Sequence, residues 1–346
     1  MLNGAIIGFG EVAQHGHWPA YAQSTELSIV AVVERTAERR RIAESLSPPL
    51  RTYESLDALA AAEAIDFIDI CTPPAFHAEP MLAALGRGWH VVCEKPFLID
   101  AAALASARAS SHDRRLAVVP VHNWKHAPIV RDATDRLRRG AIGRLERVDI
   151  DVERLRDGRG ADPVRPNWRR DPAVAGGGIL MDHGWHAVYL ALHWFDDRPH
   201  AVDADFSRPD PDAVETEADL RLSFARGEAS IRLSWNGTAR RNAMHLVGDA
   251  GTIALADDRL IQRSAGGAEN VRYPRALSDG SHHADWFVSF IPELASYFRE
   301  PDASRAAFDE AACCFEIIQR AYASKRAEPG PERRTQNAER RTENQN

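Results

Sequence analysis

Short apolar runs alternate with amphipathic segments through the first third of the chain. Runs rich in Ile, Val and Ala, typical of buried strands, lie at residues 5–7, 27–33, 66–70, 90–93 and 116–119. Between them, apolar residues recur at helical spacing, as in the helix predicted near residues 12–23. Strands that alternate with helices predict parallel βαβ units. Residues 1–121 are therefore expected to form a doubly wound parallel sheet of the α/β class.

A different pattern begins after residue 121. Helices are predicted near residues 129–138, 179–195, 286–299 and 303–323. Strand-like stretches, separated in part by glycine turns, lie at residues 145–153, 201–206, 217–224, 229–235, 242–247 and 251–255. Such a run predicts a large, mostly antiparallel open sheet, so residues 122–325 are expected to form an α+β domain. The polar residues 326–346 have no apolar face, which predicts a disordered tail.

Composition narrows the class of protein. The 346 residues favour two domains, and an apolar fraction of 44% is typical of a soluble protein with a buried core. A net charge of −7 argues against a nucleic-acid-binding protein, which needs a basic surface. No apolar run reaches the ~18 residues that span a bilayer, and the first strand begins too close to Met1 for a signal peptide. We therefore expect a cytoplasmic protein without membrane or nucleic-acid partners.

The turn after the first strand has the sequence Gly8-Phe9-Gly10-Glu11-Val12-Ala13, which matches G-x-G-x-x-A. The first glycine makes a tight turn, the second lets the backbone approach a pyrophosphate, and the small third residue lets helix and strand pack closely. Glu34 ends the second strand, about twenty residues after Ala13, where an acid holds ribose hydroxyls. This arrangement predicts a dinucleotide site that favours NAD, because a carboxylate repels the 2′-phosphate of NADP. Arg35 can pair with that phosphate, so NADP stays open.

A lysine follows the apolar strand at residues 90–93, within the sequence Glu94-Lys95-Pro96. Ligands of open α/β sheets bind at the carboxyl ends of the strands, so Lys95 stands where it can carry a proton during hydride transfer. Further along, Asp182 and His186 lie four residues apart, on one face of a predicted helix. Three glycines at residues 176–178 precede them, which predicts that the N-terminus of this helix approaches the substrate closely.

With these motifs in this order, the chain resembles the Gfo/Idh/MocA oxidoreductase family from about residue 5 to residue 323. The resemblance rests on Gly8-Phe9-Gly10-Glu11-Val12-Ala13, Cys71-Thr72-Pro73-Pro74-Ala75-Phe76-His77, Glu94-Lys95-Pro96, His122-Asn123-Trp124-Lys125 and the segment from Gly176 to His186. It implies a Rossmann domain, a C-terminal α+β domain with an open sheet, a nicotinamide coenzyme, and homodimers or homotetramers built on that sheet. It also implies substrates among sugars, sugar acids, cyclitols and nucleotide-sugars.

The resemblance implies roles for individual residues as well. Lys95 is expected beside the nicotinamide and the substrate, with Asp182 and His186 facing the same pocket from the second domain. A substrate contact is expected for Trp124, and a cis peptide bond before Pro96. Coenzyme contacts are expected for Cys71, Thr72, Pro73, His77, Glu94, Lys95, Pro96 and Asn123.

Oxidation of a carbinol requires a base for the hydroxyl proton and a donor that steadies the developing alkoxide. We hypothesise that His186, which titrates near neutrality, is the principal base and that Lys95 binds and polarises the same oxygen. The reverse assignment stays open. Asp182 binds a substrate hydroxyl, orients a partner, or only caps its helix. His183, His186 and His193 lack zinc-site spacing and no cysteine lies near them, so no metal site is predicted.

Six arginines lie between residues 154 and 170, together with Trp168. Guanidinium groups bind carboxylates and phosphates bidentately, so this loop is a candidate site for an anionic group of the substrate, with Trp168 and Arg169 as contacts. Acidic residues at 157, 162 and 171 partly balance the charge. A solvated polar loop is therefore an equally good interpretation.

The sequence thus predicts a dehydrogenase or reductase that uses NAD, or NADP, on a hydroxyl of a sugar, sugar acid, cyclitol or related polyol. Three alternatives share the coenzyme domain: a glycoside hydrolase with a resident NAD, a coenzyme-binding regulator without catalysis, and a reductase of C=C or C=N bonds. The presence of Lys95, Asp182 and His186 argues against the regulator.

Overall fold

The structure, a computed structural model, describes residues 1–158, 167–210 and 212–324. Its strands are β1 (Leu2–Ile7), β2 (Leu27–Val33), β3 (Arg51–Tyr53), β4 (Phe67–Ile70), β5 (His90–Cys93), β6 (Val118–Pro120), β7 (Leu145–Glu153), β8 (Ala201–Ser207), β9 (Glu217–Phe224), β10 (Gly227–Ser234), β11 (Arg241–Gly248), β12 (Gly251–Ala256), β13 (Arg259–Ser264) and β14 (Gly267–Arg272). The tail predicted at 326–346 lies outside the described residues.

The α-helices are α1 (Trp18–Tyr21), α2 (Ala37–Glu44), α3 (Leu56–Ala62), α4 (Ala78–Arg87), α5 (Ala101–Arg114), α6 (Pro128–Arg138), α7 (Pro172–Ala175), α8 (Trp185–Phe195), α9 (Ala284–Arg299) and α10 (Arg305–Ala323). Short 3₁₀ turns lie at Pro74–Phe76, Asn123–His126, Trp168–Arg170 and Pro301–Ser304. Two π-helical turns, Ala13–His17 and Leu180–Gly184, lead directly into α1 and α8. Such turns are frequent at functional sites. Among the described helices, none is long and apolar enough to cross a membrane.

The N-terminal sheet is parallel throughout and has the strand order β3-β2-β1-β4-β5-β6. The order reverses between β1 and β4, so a ligand crevice is expected at the carboxyl ends of these strands. The predicted doubly wound parallel sheet is confirmed. The pattern of the sequence does not reveal β3, because this edge strand has only three residues and none of them is fully buried.

The C-terminal sheet has the order β14-β13-β12-β11-β7-β10-β9-β8. Its neighbours are antiparallel except β7 and β10, which are parallel. The prediction of a large, mostly antiparallel sheet is confirmed. It omitted β13 and β14, and the residues of β14 are almost all exposed, so that they leave no alternation of buried apolar residues to detect.

Helix α9 follows the second sheet in sequence but packs on the first. Its apolar stripe repeats at helical spacing and includes Phe287, Phe290, Leu294 and Phe298, all buried. The ring of Phe298 lies 5.1 Å from that of Phe67 on β4. This helix therefore joins the two halves of the chain, and the domain boundary predicted after residue 121 stays a prediction.

Candidate active site

The glycine turn is fixed to the end of β2 by a carboxylate. Gly8 has a φ of +87°, a left-handed conformation that glycine adopts without strain. The backbone N–H groups of Phe9 and Thr36 donate to the two carboxylate oxygens of Glu34, each at 2.8 Å. Burial raises the pKa of Glu34, but these N–H groups and Arg39 outweigh it, so that the pKa is lowered. An ionised carboxylate therefore lies beside the turn, where the sequence places the ribose-binding acid.

Space is left above the same turn. A Cβ built on Gly10 would meet no heavy atom within 4 Å. The Oδ1 atom of Asn123 is buried and has no hydrogen-bond partner among the described residues. Arg35 is exposed beside Glu34. The open space and the unpaired acceptor fit a nicotinamide dinucleotide, which the turn, Glu34 and Asn123 would hold.

Three other predicted coenzyme residues have side chains that are already engaged. The Sγ atom of Cys71 lies 3.3 Å from Nδ1 of His17, and burial, with Asp69, raises the pKa of Cys71 to about 12. His77 is fully buried between the carbonyl oxygens of Phe97 and Thr72, at 3.0 and 2.6 Å. Glu94 accepts a hydrogen bond from His17. Contact of these side chains with a coenzyme stays a prediction, as it does for Pro73 and Pro96.

An ion pair joins the two halves of the chain at the end of β5. The Nζ atom of Lys95 lies 2.8 Å from Oδ1 of Asp182 and donates to the Asp182 carbonyl oxygen at 3.1 Å. The side chains are only 17% and 14% exposed, respectively. Burial raises the pKa of Asp182, but the charges of Lys95, His183 and Arg169 hold it well below its usual value. The predicted cis bond between Lys95 and Pro96 is present. The structure thus brings together the two residues that the sequence placed in separate domains.

Two further basic side chains lie close to the other oxygen of Asp182. Nε of Arg169 lies 3.4 Å and Nδ1 of His183 lies 3.3 Å from Oδ2. Both ring nitrogens of His183 face N–H donors, since Nε of Arg154 lies 3.2 Å from Nε2 and Nε1 of Trp235 lies 3.3 Å from Nδ1. Burial, assisted by the nearby cations, lowers the pKa of His183 to about 3. Asp182 is therefore a fixed anion that orients Lys95.

Two arginines in the described part of the arginine-rich loop lie close to carboxylates of the chain. Arg169 contacts Asp182 and stacks over the ring of Trp168 at 4.3 Å. Arg170 pairs with Asp157 at 2.7 Å. Two arginines of this loop, at positions 159 and 165, lie outside the described residues. Binding of a substrate anion by Trp168 and Arg169 stays a prediction.

His186 is buried and held from two sides. Its ring stacks on Trp124, with centroids 4.5 Å apart and an angle of 5°. Its Nδ1 lies 2.8 Å from Oη of Tyr189, which accepts the backbone N–H of Trp124 at 3.0 Å. Nδ1 of His186 is the acceptor that the described residues offer to the Tyr189 hydroxyl proton, and on this assignment the ring proton is on Nε2.

The protonation state of His186 follows from this environment. Burial first, and then the charge of Lys95, hold the pKa of His186 well below its usual value. A neutral ring with its proton on Nε2 is a hydrogen-bond donor and a poor base. The geometry therefore disfavours His186 as the principal base and favours the reverse assignment, in which Lys95 moves the proton.

The glycines before Asp182 serve packing. Oε1 of Glu215 accepts the N–H groups of Gly178 and Leu180, at 2.9 and 3.1 Å. A Cβ on Gly178 would lie 2.0 Å from the Glu215 carbonyl oxygen. A buried carboxylate thus binds two N–H groups at this helix end, and its close approach to the substrate stays a prediction.

A buried polar cluster behind Glu94 was not predicted from the sequence. His17 and Asp69 are 2% and 0% exposed, and Nδ1 of His17 lies 2.7 Å from Oδ2 of Asp69. One signal was available, since Asp69 is a carboxylate within the otherwise apolar strand β4. Among the described residues, His17, Asp69 and Cys71 have ligand atoms within 4.8 Å of one another. Both ring nitrogens of His17, however, face carboxylates, an arrangement that requires protons where a metal ion would bind.

Two family models match the chain in the order of its two sheets. The model described as "Oxidoreductase family, NAD-binding Rossmann fold" matches residues 2–122, and the GFO/IDH/MocA C-terminal domain matches residues 130–254. The chain belongs to the Gfo/Idh/MocA oxidoreductase family. The predicted family and its nicotinamide coenzyme domain are confirmed.

Similar proteins include several that act on sugars. Levoglucosan dehydrogenase of Pseudarthrobacter phenanthrenivorans is 27% identical over 222 residues, which cover 56% of each protein. A dTDP-3,4-didehydro-2,6-dideoxy-alpha-D-glucose 3-reductase of Streptomyces antibioticus is 27% identical over 261 residues, covering 73% of this chain and 75% of the reductase. Oxidoreductase P35 of Formosa agariphila is 26% identical over 56% of this chain, and the match spans 60% of the length of that protein.

Solved structures share the fold over almost the whole chain. An oxidoreductase from Agrobacterium radiobacter, in complex with NAD+, L-tartaric acid and magnesium, superposes with a TM-score of 0.79 at 20% identity. The match covers 93% of this chain and 96% of the other. The predicted fold class, a Rossmann domain with an α+β domain, is thereby confirmed.

Proposed function

We propose that this member of the family transfers a hydride between a nicotinamide coenzyme and a hydroxyl or carbonyl carbon of a sugar, sugar acid, cyclitol or related polyol. The observation that carries the proposal is the Lys95–Asp182 ion pair, 2.8 Å long, at the carboxyl end of β5. This end of the parallel sheet is where ligands bind in open α/β folds.

The proposed mechanism assigns one task to each side chain. The bound coenzyme supplies the hydride for reduction or accepts it in oxidation. Lys95 donates a proton to the substrate oxygen during reduction, and its neutral amine accepts the proton during oxidation. Nε2–H of His186, which has no partner among the described residues, donates a second hydrogen bond to the same oxygen. Asp182 keeps the Lys95 side chain in place.

Relatives support a sugar substrate without identifying it. A D-glucoside 3-dehydrogenase of Escherichia coli is 30% identical over 198 residues, covering 56% of this chain and 53% of that enzyme. A D-xylose 1-dehydrogenase that uses NADP+, from Haloferax volcanii, is 30% identical over 204 residues. These proteins act on different carbons and one uses NADP+, so the experiment has to identify both the reacting hydroxyl and the coenzyme.

A cytoplasmic location stays a prediction. A homodimer or homotetramer built on the C-terminal sheet is part of the proposal. The apolar residues of β7, β9 and β10 alternate with charged ones such as Asp151, Asp219 and Arg232 on the other face of the sheet. This second face is polar, and it is the one that would meet another copy of the chain.

The experiment is a substrate screen with both coenzymes. Levoglucosan, D-xylose, alkyl D-glucosides, sugar acids and cyclitols are supplied with NAD+ or NADP+, and the absorbance of the reduced coenzyme is followed. Net reduction of the coenzyme by any of them supports the proposal. Cleavage of a glycoside without net reduction identifies the hydrolase alternative. Tight coenzyme binding without turnover of any substrate, in either direction, identifies the regulator.

A further inference from the structure

A buried chain of alternating charges leads from the interior of the N-terminal sheet to the ion pair. It begins at Asp69 on β4, continues through His17 in the first π-helical turn to Glu94 after β5, and ends at Lys95 and Asp182. The distances are 2.7 Å from Asp69 to Nδ1 of His17 and 3.0 Å from Nε2 of His17 to Oε1 of Glu94. None of the side chains in this series is exposed.

His17 donates from both ring nitrogens. An imidazole between two carboxylates can satisfy both only when each nitrogen carries a proton. Burial lowers the pKa of His17, but the charge of Asp69, with Cys71, outweighs it, and the pKa lies well above its usual value. Phe287 of α9 stacks on the ring at 4.0 Å and closes the other side. His17 is therefore a buried cation, which is 2% exposed.

Glu94 connects His17 to Lys95 through its two carboxylate oxygens. One carboxylate oxygen, Oε1, is bound by His17, and the other, Oε2, accepts the backbone N–H of Lys95 at 2.9 Å. The hydrogen bond from His17 thus restricts rotation of the Glu94 carboxylate. The carboxylate in turn restricts the backbone at the nitrogen atom of Lys95. At the far end, Nζ of Lys95 meets Asp182.

We propose that His17 is a positioning residue for the reaction at Lys95, acting through the Glu94 carboxylate. The inference rests on the proposed function for its kinetic consequence, but not for its structural one. Without the His17–Glu94 hydrogen bond, the Glu94 side chain can rotate, the Lys95 backbone loses its acceptor, and Nζ leaves Asp182 for part of the time.

Two isosteric substitutions separate this role from a merely structural one. The amide nitrogen of His17→Gln replaces Nε2 and still reaches Glu94, whereas that of His17→Asn replaces Nδ1 and reaches only Asp69. We expect kcat to fall about 100-fold in His17→Asn and less than 10-fold in His17→Gln. The KM and the affinity for NADH should change less than threefold in both. Equal losses of kcat in the two variants would overturn the proposal.

A second readout does not require turnover. The chain contains three lysines, Lys95, Lys125 and Lys325. The rate at which an amine reagent labels each is followed by peptide mass spectrometry, with Lys125 as the internal reference. We expect Lys95 to label at least fivefold faster in His17→Asn than in the unmodified protein, and within twofold in His17→Gln. An unchanged rate in His17→Asn refutes the positioning role, and failure of the substrate screen leaves this result intact.

A further pair of variants decides the question if the His17 variants do not fold. Glu94→Gln removes the carboxylate that links His17 to the backbone N–H of Lys95. Asp69→Asn leaves the contact between His17 and Glu94 in place. We expect faster labelling of Lys95 in Glu94→Gln and not in Asp69→Asn. The opposite order, or equal rates, would show that the constraint does not pass through Glu94.

Discussion

Replacement of Lys95 by methionine tests the central assignment. Methionine keeps most of the apolar stem and removes the ammonium group, so packing at the end of β5 changes little. Asp182 loses its donor at 2.8 Å but keeps Arg169 at 3.4 Å and His183 at 3.3 Å. The variant is therefore expected to fold, with the reacting proton as its principal loss.

The expected magnitudes follow from these contacts. Removing one partner of a buried ion pair costs about 3–5 kcal/mol when the other is left alone. Because Asp182 keeps the Arg169 guanidinium 3.4 Å away and the pair is partly exposed, we expect the free energy of unfolding to fall by only about 1–2 kcal/mol. Loss of an acid/base group lowers kcat by about 10²–10⁴-fold, which corresponds to roughly 3–5 kcal/mol in the barrier. The catalytic loss should thus exceed the loss of stability.

The assay combines turnover, coenzyme titration and urea unfolding. The active substrate from the screen gives kcat and KM, and quenching of protein fluorescence gives the affinity for NADH, which should change less than threefold. Lys125→Met is the matched control. The Lys125 side chain is 20% exposed, close to the 17% of Lys95, and forms an ion pair with Glu310. It should show a similar loss of stability while kcat stays within about tenfold.

The reasoning is refuted if Lys95→Met retains kcat within threefold of the unmodified enzyme. It is refuted as well if Lys95→Met and Lys125→Met lose the same kcat, because the effect would then come from disturbing a buried ion pair. A large loss of kcat in His186→Asn together with a small loss in Lys95→Met would restore the original hypothesis that the histidine is the base.

Two further predictions concern the coenzyme and stability. Gly10→Ala should change the free energy of unfolding by less than about 0.5 kcal/mol, because its Cβ meets no atom within 4 Å. The same Cβ fills the space above the turn and should weaken NADH binding at least tenfold. Unchanged affinity for NADH would argue against a coenzyme site at this turn. Burial, with Lys125 and Arg131, lowers the pKa of His126 to about 3, so this group supports folding above pH ~6.5 and loses that support as the pH falls. The His126 share of the loss between pH 7 and pH 5.5 is about 1 kcal/mol. Other buried histidines such as His183 lose support over the same range, so urea unfolding should show a loss in His126→Gln that is smaller than in the unmodified protein by about that amount.

Much of the fold could be predicted because its signals are local. The β9 strand, Glu217–Phe224, alternates buried and accessible residues along its whole length, and the sequence gives its bounds without error. The glycine turn and Glu34 meet because β1 and β2 are parallel neighbours whose ends coincide. The side chain of Lys95 could be placed at a strand end for the same reason. These features need only strand period, turn chemistry and the rule for ligand sites in open sheets.

Other parts of the site depend on contacts that leave no local pattern. The pairing of His17 with Glu94 joins residues 77 positions apart in the chain, and neither residue has a periodicity that points to the other. Gly178 illustrates the same limit. A glycine shows that something approaches closely, but only the fold reveals that the neighbour is Glu215 and not a substrate.

The π-helical turn before α8 bears on the i, i+4 argument for Asp182 and His186, whose shared pocket stays a prediction. That argument assumes 3.6 residues per turn, but Asp182 lies in a π-helical turn, where each turn contains more residues and the face shifts. Asp182 consequently points at Lys95, while His186 in α8 packs against Trp124 and Tyr189. The other π-helical turn directs His17 at Glu94. Each π-helical turn thus contributes one side chain, one from each half of the chain, that contacts the dipeptide Glu94-Lys95.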